Sequence, residues 1–95
     1  MPEQQRPGQR DVLNPQPIFN GMLLMETKVF AGETLSELVQ RSAEARRCCG
    51  IQEDPQLNYY HIEILRQDGT ADCIHFDCPI ELGGEYVIHP YLTLD

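Results

Sequence analysis

Three consecutive runs, Tyr59-Tyr60-His61-Ile62-Glu63-Ile64-Leu65, Arg66-Gln67-Asp68-Gly69-Thr70 and Ala71-Asp72-Cys73-Ile74-His75-Phe76-Asp77, form the stretch whose reading decides the fold. The first and third alternate as strands do, and the middle one is a turn signal, so the whole predicts one β-hairpin. Gln67-Asp68-Gly69 suits a three-residue loop, a type I turn followed by Gly69 in the left-handed region as a bulge. That loop pairs Arg66 with Thr70. One face then carries Tyr60, Ile62, Ile64, Ile74 and Phe76, with Asp72 as a polar intruder near the turn. The other carries His61 across from His75 and Glu63 across from Cys73, with Leu65, Ala71 and Asp77 alongside. A two-residue loop would mix apolar and polar groups on both faces, so burial favours the bulged register.

Upstream, Thr34-Leu35-Ser36-Glu37 is a capping-box pattern that opens a helix over residues 34–49. Leu35, Leu38, Val39, Ser42, Ala45 and Cys49 fall on one helical face. Glu33 and Glu37 lie near its positive end, Arg46 and Arg47 near its negative end, and Gly50 is its stop. Further back, Asn20-Gly21 signals a two-residue hairpin loop. The strand before it is short because Pro15 and Pro17 lack ladder donors. The strand after it is expected over residues 22–30, with Leu23, Met25, Thr27 and Val29 on one face. Downstream of the opening stretch, residues 78–84 are a turn-rich link, and residues 85–89 form a last strand that is expected to continue past Pro90. The order is ββαβββ. One amphipathic helix covering one face of a four- to five-stranded sheet is a two-layer α+β domain.

Residues 1–16 are rich in Gln, Pro and Arg and lack periodicity, which predicts a flexible tail ahead of a single domain over residues 17–95. The 95 residues carry 15 acidic against 7 basic side chains, a formal charge of -8. A direct nucleic-acid binder needs a basic stripe to displace counterions, so that class is excluded. No apolar run approaches the roughly 20 residues that span a bilayer, and no signal-peptide core opens the sequence. A cytoplasmic protein is expected, and in that compartment Cys48, Cys49, Cys73 and Cys78 are reduced thiols, buried or half-buried.

The order of elements resembles the ubiquitin-like β-grasp superfamily. Gly32-Glu33-Thr34-Leu35-Ser36-Glu37-Leu38-Val39 looks like the segment that launches the helix in small sulfur carriers and ubiquitin-like proteins, and residues 79–90 look like their approach to the final strand. Carriers and modifiers of that superfamily end in Gly-Gly, whereas this sequence ends Thr93-Leu94-Asp95 and holds Gly83-Gly84 internally. The resemblance therefore implies a non-conjugated ubiquitin-like domain that works as a protein–protein interaction module or small accessory subunit. Its partner is a protein, neither nucleic acid nor membrane, and a homodimer through the sheet surface belongs to the same expectation.

Chemistry is concentrated on the polar face of the hairpin. His, Cys and carboxylate are the ligand types of zinc and related transition metals, so His61, Glu63, Cys73 and His75 are the candidate metal ligands. His89 joins them if the last strand lies beside residues 59–65. A flat sheet face encloses an ion poorly, and no Cys-x2-Cys or His-x3-His spacing supports a site, so the plain reading is a solvated polar surface. A small metal-dependent or cysteine-based enzyme would use the same residues, with Cys73 beside His61 or His75 as nucleophile and base. His61-Ile62-Glu63 lacks the helix and the later Pro-Cys-x2-Cys of zinc deaminases, and no phosphate-binding loop or cofactor motif is present. A third class is an acidic inhibitor of a nucleic-acid-binding protein. For the interaction module, the candidate contact residues are Met22, Leu24, Leu65 and Tyr91, apolar groups expected on outward positions.

Overall fold

A computed structural model of the chain describes residues 11–51 and 60–90. Within them run β1 (Ile18–Phe19), β2 (Met22–Leu23), α1 (Leu35–Arg41), α2 (Ala43–Cys49), β3 (Tyr60–Leu65), β4 (Ala71–Ile74) and β5 (Glu85–Pro90). The strands form one mixed sheet in the order β2-β1-β5-β3-β4. β5 is central, parallel to β1 and antiparallel to β3. Phe19, Ile62, Ile64, Tyr86 and Ile88 line the inner face and join Leu35, Leu38, Val39, Ala45 and Cys49 of the helices in one buried cluster. This is an α+β architecture with helices on one side of the sheet. No helix among the described residues is long and apolar enough to cross a membrane.

The β3–β4 hairpin has the bulged register. Ile62 pairs with Ile74, Glu63 with Cys73, Ile64 with Asp72 and Leu65 with Ala71. Arg66 N–H donates to Thr70 O at 2.7 Å, and Gly69 takes φ 89°. Asp68 Oδ1 accepts from Thr70 N–H at 3.0 Å and from its hydroxyl at 2.6 Å, which fixes the turn locally. Ile62, Ile64 and Phe76 are buried, with Tyr60 and Ile74 packed against them. A one-residue slip of β3 would expose Ile62 and Ile64 and bring His61 and Glu63 inward. Two such side chains are worth roughly 3–6 kcal/mol, a large part of a small domain's net stability.

The helix expected over residues 34–49 is two. The capping box forms at Thr34 and Glu37, but Ser42 leaves helical geometry at φ -129°, ψ 116° and caps the second helix by accepting from Ala45 N–H. Apolar spacing runs through the break because α2 continues to bury Ala45, Cys48 and Cys49. Gly50 ends it at φ 72°, donating back to Arg46 O and Arg47 O. The buried Glu33 carboxylate accepts from Arg41, whose guanidinium also lies 4.9 Å from the centroid of the Phe30 ring.

The strand expected over residues 22–30 is likewise shorter. Only Met22 and Leu23 pair with β1, across the Asn20-Gly21 turn with φ 51° and 78°. Beyond it, the N–H groups of Met25, Glu26 and Thr27 converge on the Glu44 carboxylate at 2.7–3.1 Å. Successive strand N–H groups point to opposite sides, so three aimed at one carboxylate require a curled loop. Residues 11–16, expected within the tail, are part of the folded body. Val12 bridges Phe30, Leu13 N–H donates to Val29 O at 2.7 Å, and Leu13 packs on the core. The rest of the expected tail, the loop over residues 52–58 and the continuation past Pro90 lie outside the described residues.

The link before β5 packs tightly. A Cβ on Gly84 would stand 2.8 Å from Tyr86 Cε1 and 3.2 Å from Ile64 Cδ1. Close approach of two core side chains therefore accounts for glycine here. The Tyr86 hydroxyl accepts from Glu81 N–H at 2.7 Å, which closes the link over the strand it precedes.

Candidate functional site

Strand alternation sends a second set of side chains to the face away from the helices. On β3 these are His61, Glu63 and Leu65, flanked by Ala71 and Cys73 of β4 on one side and by Glu85, Val87 and His89 of β5 on the other. Ile18 of β1, opposite Glu85, and Leu23 of β2, opposite Ile18, continue the face across the sheet. The surface is polar at the His61 end, and at the other the apolar Leu23, Ile18 and Leu65 share a row with Glu85.

At the polar end, His61 pairs with His89, their ring centroids 6.2 Å apart. Glu63 stands between them, its Oε2 3.5 Å from His61 Nε2 and its Oε1 3.7 Å from His89 Nε2. Cys73 Sγ lies 3.5 Å from His61 Nδ1. The expected His61–His75 pair is replaced by this arrangement. β4 stops at Ile74, and His75 turns into solvent, where its Nδ1 accepts from Asp77 N–H at 3.2 Å. Of the candidate metal ligands, His61, Glu63 and Cys73 are thus brought together with His89, and His75 stands apart. Among the described residues, no group of three or more His, Cys, Asp or Glu side chains is placed to hold a metal ion.

At the apolar end, Leu65 is 44% exposed and Leu23 51%. Leu65 also borders a shallow depression of about 320 Å³ with Arg66, Glu81, Leu82, Gly83 and Glu85. Leu82, 61% exposed, was not among the expected contact residues. Its sequence signal is an apolar side chain at a Gly-Gly turn, where burial is hardest to arrange. Met22 is exposed, but it pairs with Phe19 and so lies on the helix-side parity of the sheet, and Leu23 takes the outward position expected of Met22. Leu24, expected outward, is buried in the core because the chain leaves the sheet at Leu23 and turns inward. Tyr91 lies outside the described residues.

Charge surrounds this end. Arg66 is held between Asp72 at 2.8 Å and Glu81 at 3.0 Å, leaving Glu63 and Glu85 as further acidic groups of the face. A larger groove of about 600 Å³ on the helix side, between Lys28, Phe30, Arg41 and Arg47, is polar, and its Glu44 is already committed to the loop N–H groups. Two of the four thiols expected to be buried or half-buried are in fact exposed, Cys73 on β4 and Cys78 in the link. Comparison with protein-family models, with curated proteins and with solved structures finds none that matches this chain.

Proposed function

We propose that the chain is a non-conjugated, ubiquitin-like interaction module that binds a protein partner through the outer face of its sheet. The carrying observation is the apolar end of that face, where Leu23, Leu65 and Leu82 remain exposed beside Ile18 and Val87. Scattered apolar residues are ordinary on protein surfaces, but Leu23 and Ile18 on one side of Glu85 and Leu65 on the other gather on one sheet face, the kind of patch that marks a contact. Support for the β-grasp reading comes from the sheet order β2-β1-β5-β3-β4, its central parallel pair, and helices that follow the first hairpin. Glu85 between Ile18 and Leu65, and Glu63 beside Val87, suit a partner that sets basic groups among its apolar contacts.

The test is site-specific photo-crosslinking in the native host. A crosslinker at Leu65 is expected to capture one protein, and capture should disappear when Val87 is changed to Asp on the same face. A crosslinker at Met25, 82% exposed in the loop held by α2, serves as the control. The same adducts at both positions, or none at Leu65, would rule this surface out.

A further inference from the structure

The depression beside Leu65 encloses about 320 Å³ where the turn end of β3 meets the link that precedes β5. Its lining is of two kinds. Leu65 and Leu82 present exposed apolar surface, and Glu81 and Glu85 supply carboxylates. Arg66 is the one cation among the lining residues, and most of the donors there are taken. Arg66 gives Nε to Asp72 at 2.8 Å and Nη1 to Glu81 at 3.0 Å. Gly83 N–H donates to Pro15 O at 3.0 Å, and Gly84 N–H to Glu81 O at 3.1 Å. Acceptor capacity is left over. Among the described residues the Glu85 carboxylate meets no hydrogen-bond or ion-pair partner, although it stands directly across the β3–β5 ladder from Leu65. The three carboxylates of Asp72, Glu81 and Glu85 against one guanidinium leave this half-apolar hollow net negative.

A group that fits this hollow carries positive charge and donors at its tip and apolar surface behind them. An arginine side chain is built that way. Its stem is apolar, and its planar, weakly hydrated guanidinium meets a carboxylate through parallel N–H bonds. Lysine offers a compact charge that holds its water more tightly, and a purely apolar side chain would desolvate Glu85 without giving it a partner. We propose that the depression is the seat of an arginine side chain from the protein partner, its stem on Leu65 and Leu82 and its guanidinium on Glu85. This seat presupposes that the outer face is a contact surface, and it specifies the partner residue recognised at the Leu65 corner.

The test titrates the isotope-labelled full-length chain with N-acetyl-arginine amide and follows its backbone amides by NMR. N-acetyl-citrulline amide, of the same shape but uncharged, is the comparison. A ligand of this size binds with a Kd on the order of a millimolar, which amide shifts resolve. The arginine amide is expected to move the Leu65, Leu82, Gly83 and Gly84 signals and to bind about threefold more tightly than the citrulline amide, the size of an exposed ion pair. Glu85→Gln should remove that preference, with an otherwise unchanged spectrum showing that the fold is kept. Leu82→Ser should weaken both ligands alike, because both share the apolar stem. Equal binding of the two ligands to the unaltered chain, shifts confined to other residues, or a preference that survives Glu85→Gln would each overturn the proposal. None of these results bears on capture by a crosslinker at Leu65. Arginine binding without such capture would count against the contact surface alone.

Discussion

Asn20 serves the turn, the sheet and the second helix at once. Its backbone takes φ 51°, the left-handed conformation that the first position of a two-residue hairpin turn requires. Its Oδ1 accepts from Ile88 N–H at 2.9 Å, extending the parallel β1–β5 pairing one rung past the end of β1. Its Nδ2 donates to Cys48 O at 3.1 Å, satisfying a carbonyl in the last turn of α2. Asn20→Gly separates these roles, because glycine takes a positive φ without strain but has no amide. We predict a loss of about 2 kcal/mol, since each abandoned backbone group costs roughly 1–3 kcal/mol and relief at φ returns only part of it. Urea denaturation measures this, and a loss below about 0.5 kcal/mol would mean that the amide is idle. The turn itself was legible because Asn-Gly is a local signal. The side-chain partners were not, lying 28 and 68 residues away, where no spacing rule reaches. His61 follows the same pattern. Cys73 came within its reach through hairpin register, but His89 required knowing which strand lies on the other side of β3.

Elements were legible where a side chain acts on its own backbone. The Thr34–Glu37 capping box, Gly50 and the Gly69 bulge all stand where their residues place them. Lengths were less legible, and both overlong elements fail at a tertiary contact. Ser42 interrupts the helix while its hydroxyl meets that of Thr27 at 2.7 Å, and the loop after β2 curls because Glu44 gathers its N–H groups. The second contact carries a pH signature. Hydrogen bonding from Met25 N–H, reinforced by the Thr27 and Glu26 donors and opposed by partial desolvation, lowers the Glu44 carboxyl from 4.5 to about 2. A folded value below the unfolded one means stability that is complete above the unfolded pKa and lost as pH falls toward the folded one. Glu44→Gln should therefore be less stable than the parent at pH 7, and the gap should close between about pH 4.5 and pH 2. Denaturation midpoints of both chains across that range decide it. A gap that is constant with pH would assign the effect to shape, not charge.

At the scale of the whole molecule, the α+β class followed from one amphipathic helical segment and two hairpins, but the sheet order did not. Its decisive pair, β1 with β5, joins residues 18–19 to 85–86 through backbone groups that every sequence possesses. The beginning of the folded body escaped notice for a related reason. Residues 11–16 show no periodicity, yet backbone and amide bonds tie them in. Asp11 O accepts from Ala31 N–H at 2.7 Å and Pro15 O from Gly83 N–H at 3.0 Å, while Gln16 Oε1 accepts from Val29 N–H at 3.1 Å. Composition predicts that removing residues 1–16 leaves the fold intact, whereas these contacts predict that it does not. Two truncations distinguish the cases, because residues 11–16 are what separates a chain lacking 1–10 from one lacking 1–16. The longer deletion uncovers the half-buried Leu13 site and strands the N–H groups of Val29, Ala31 and Gly83. Partial apolar exposure and several displaced hydrogen bonds, some of which water replaces, amount to about 3 kcal/mol. In urea the chain lacking 1–16 should thus unfold at a clearly lower midpoint than the chain lacking 1–10, with a similar slope if the remaining core is unchanged. Coincident midpoints would return residues 11–16 to the tail and place the start of the folded body at Pro17.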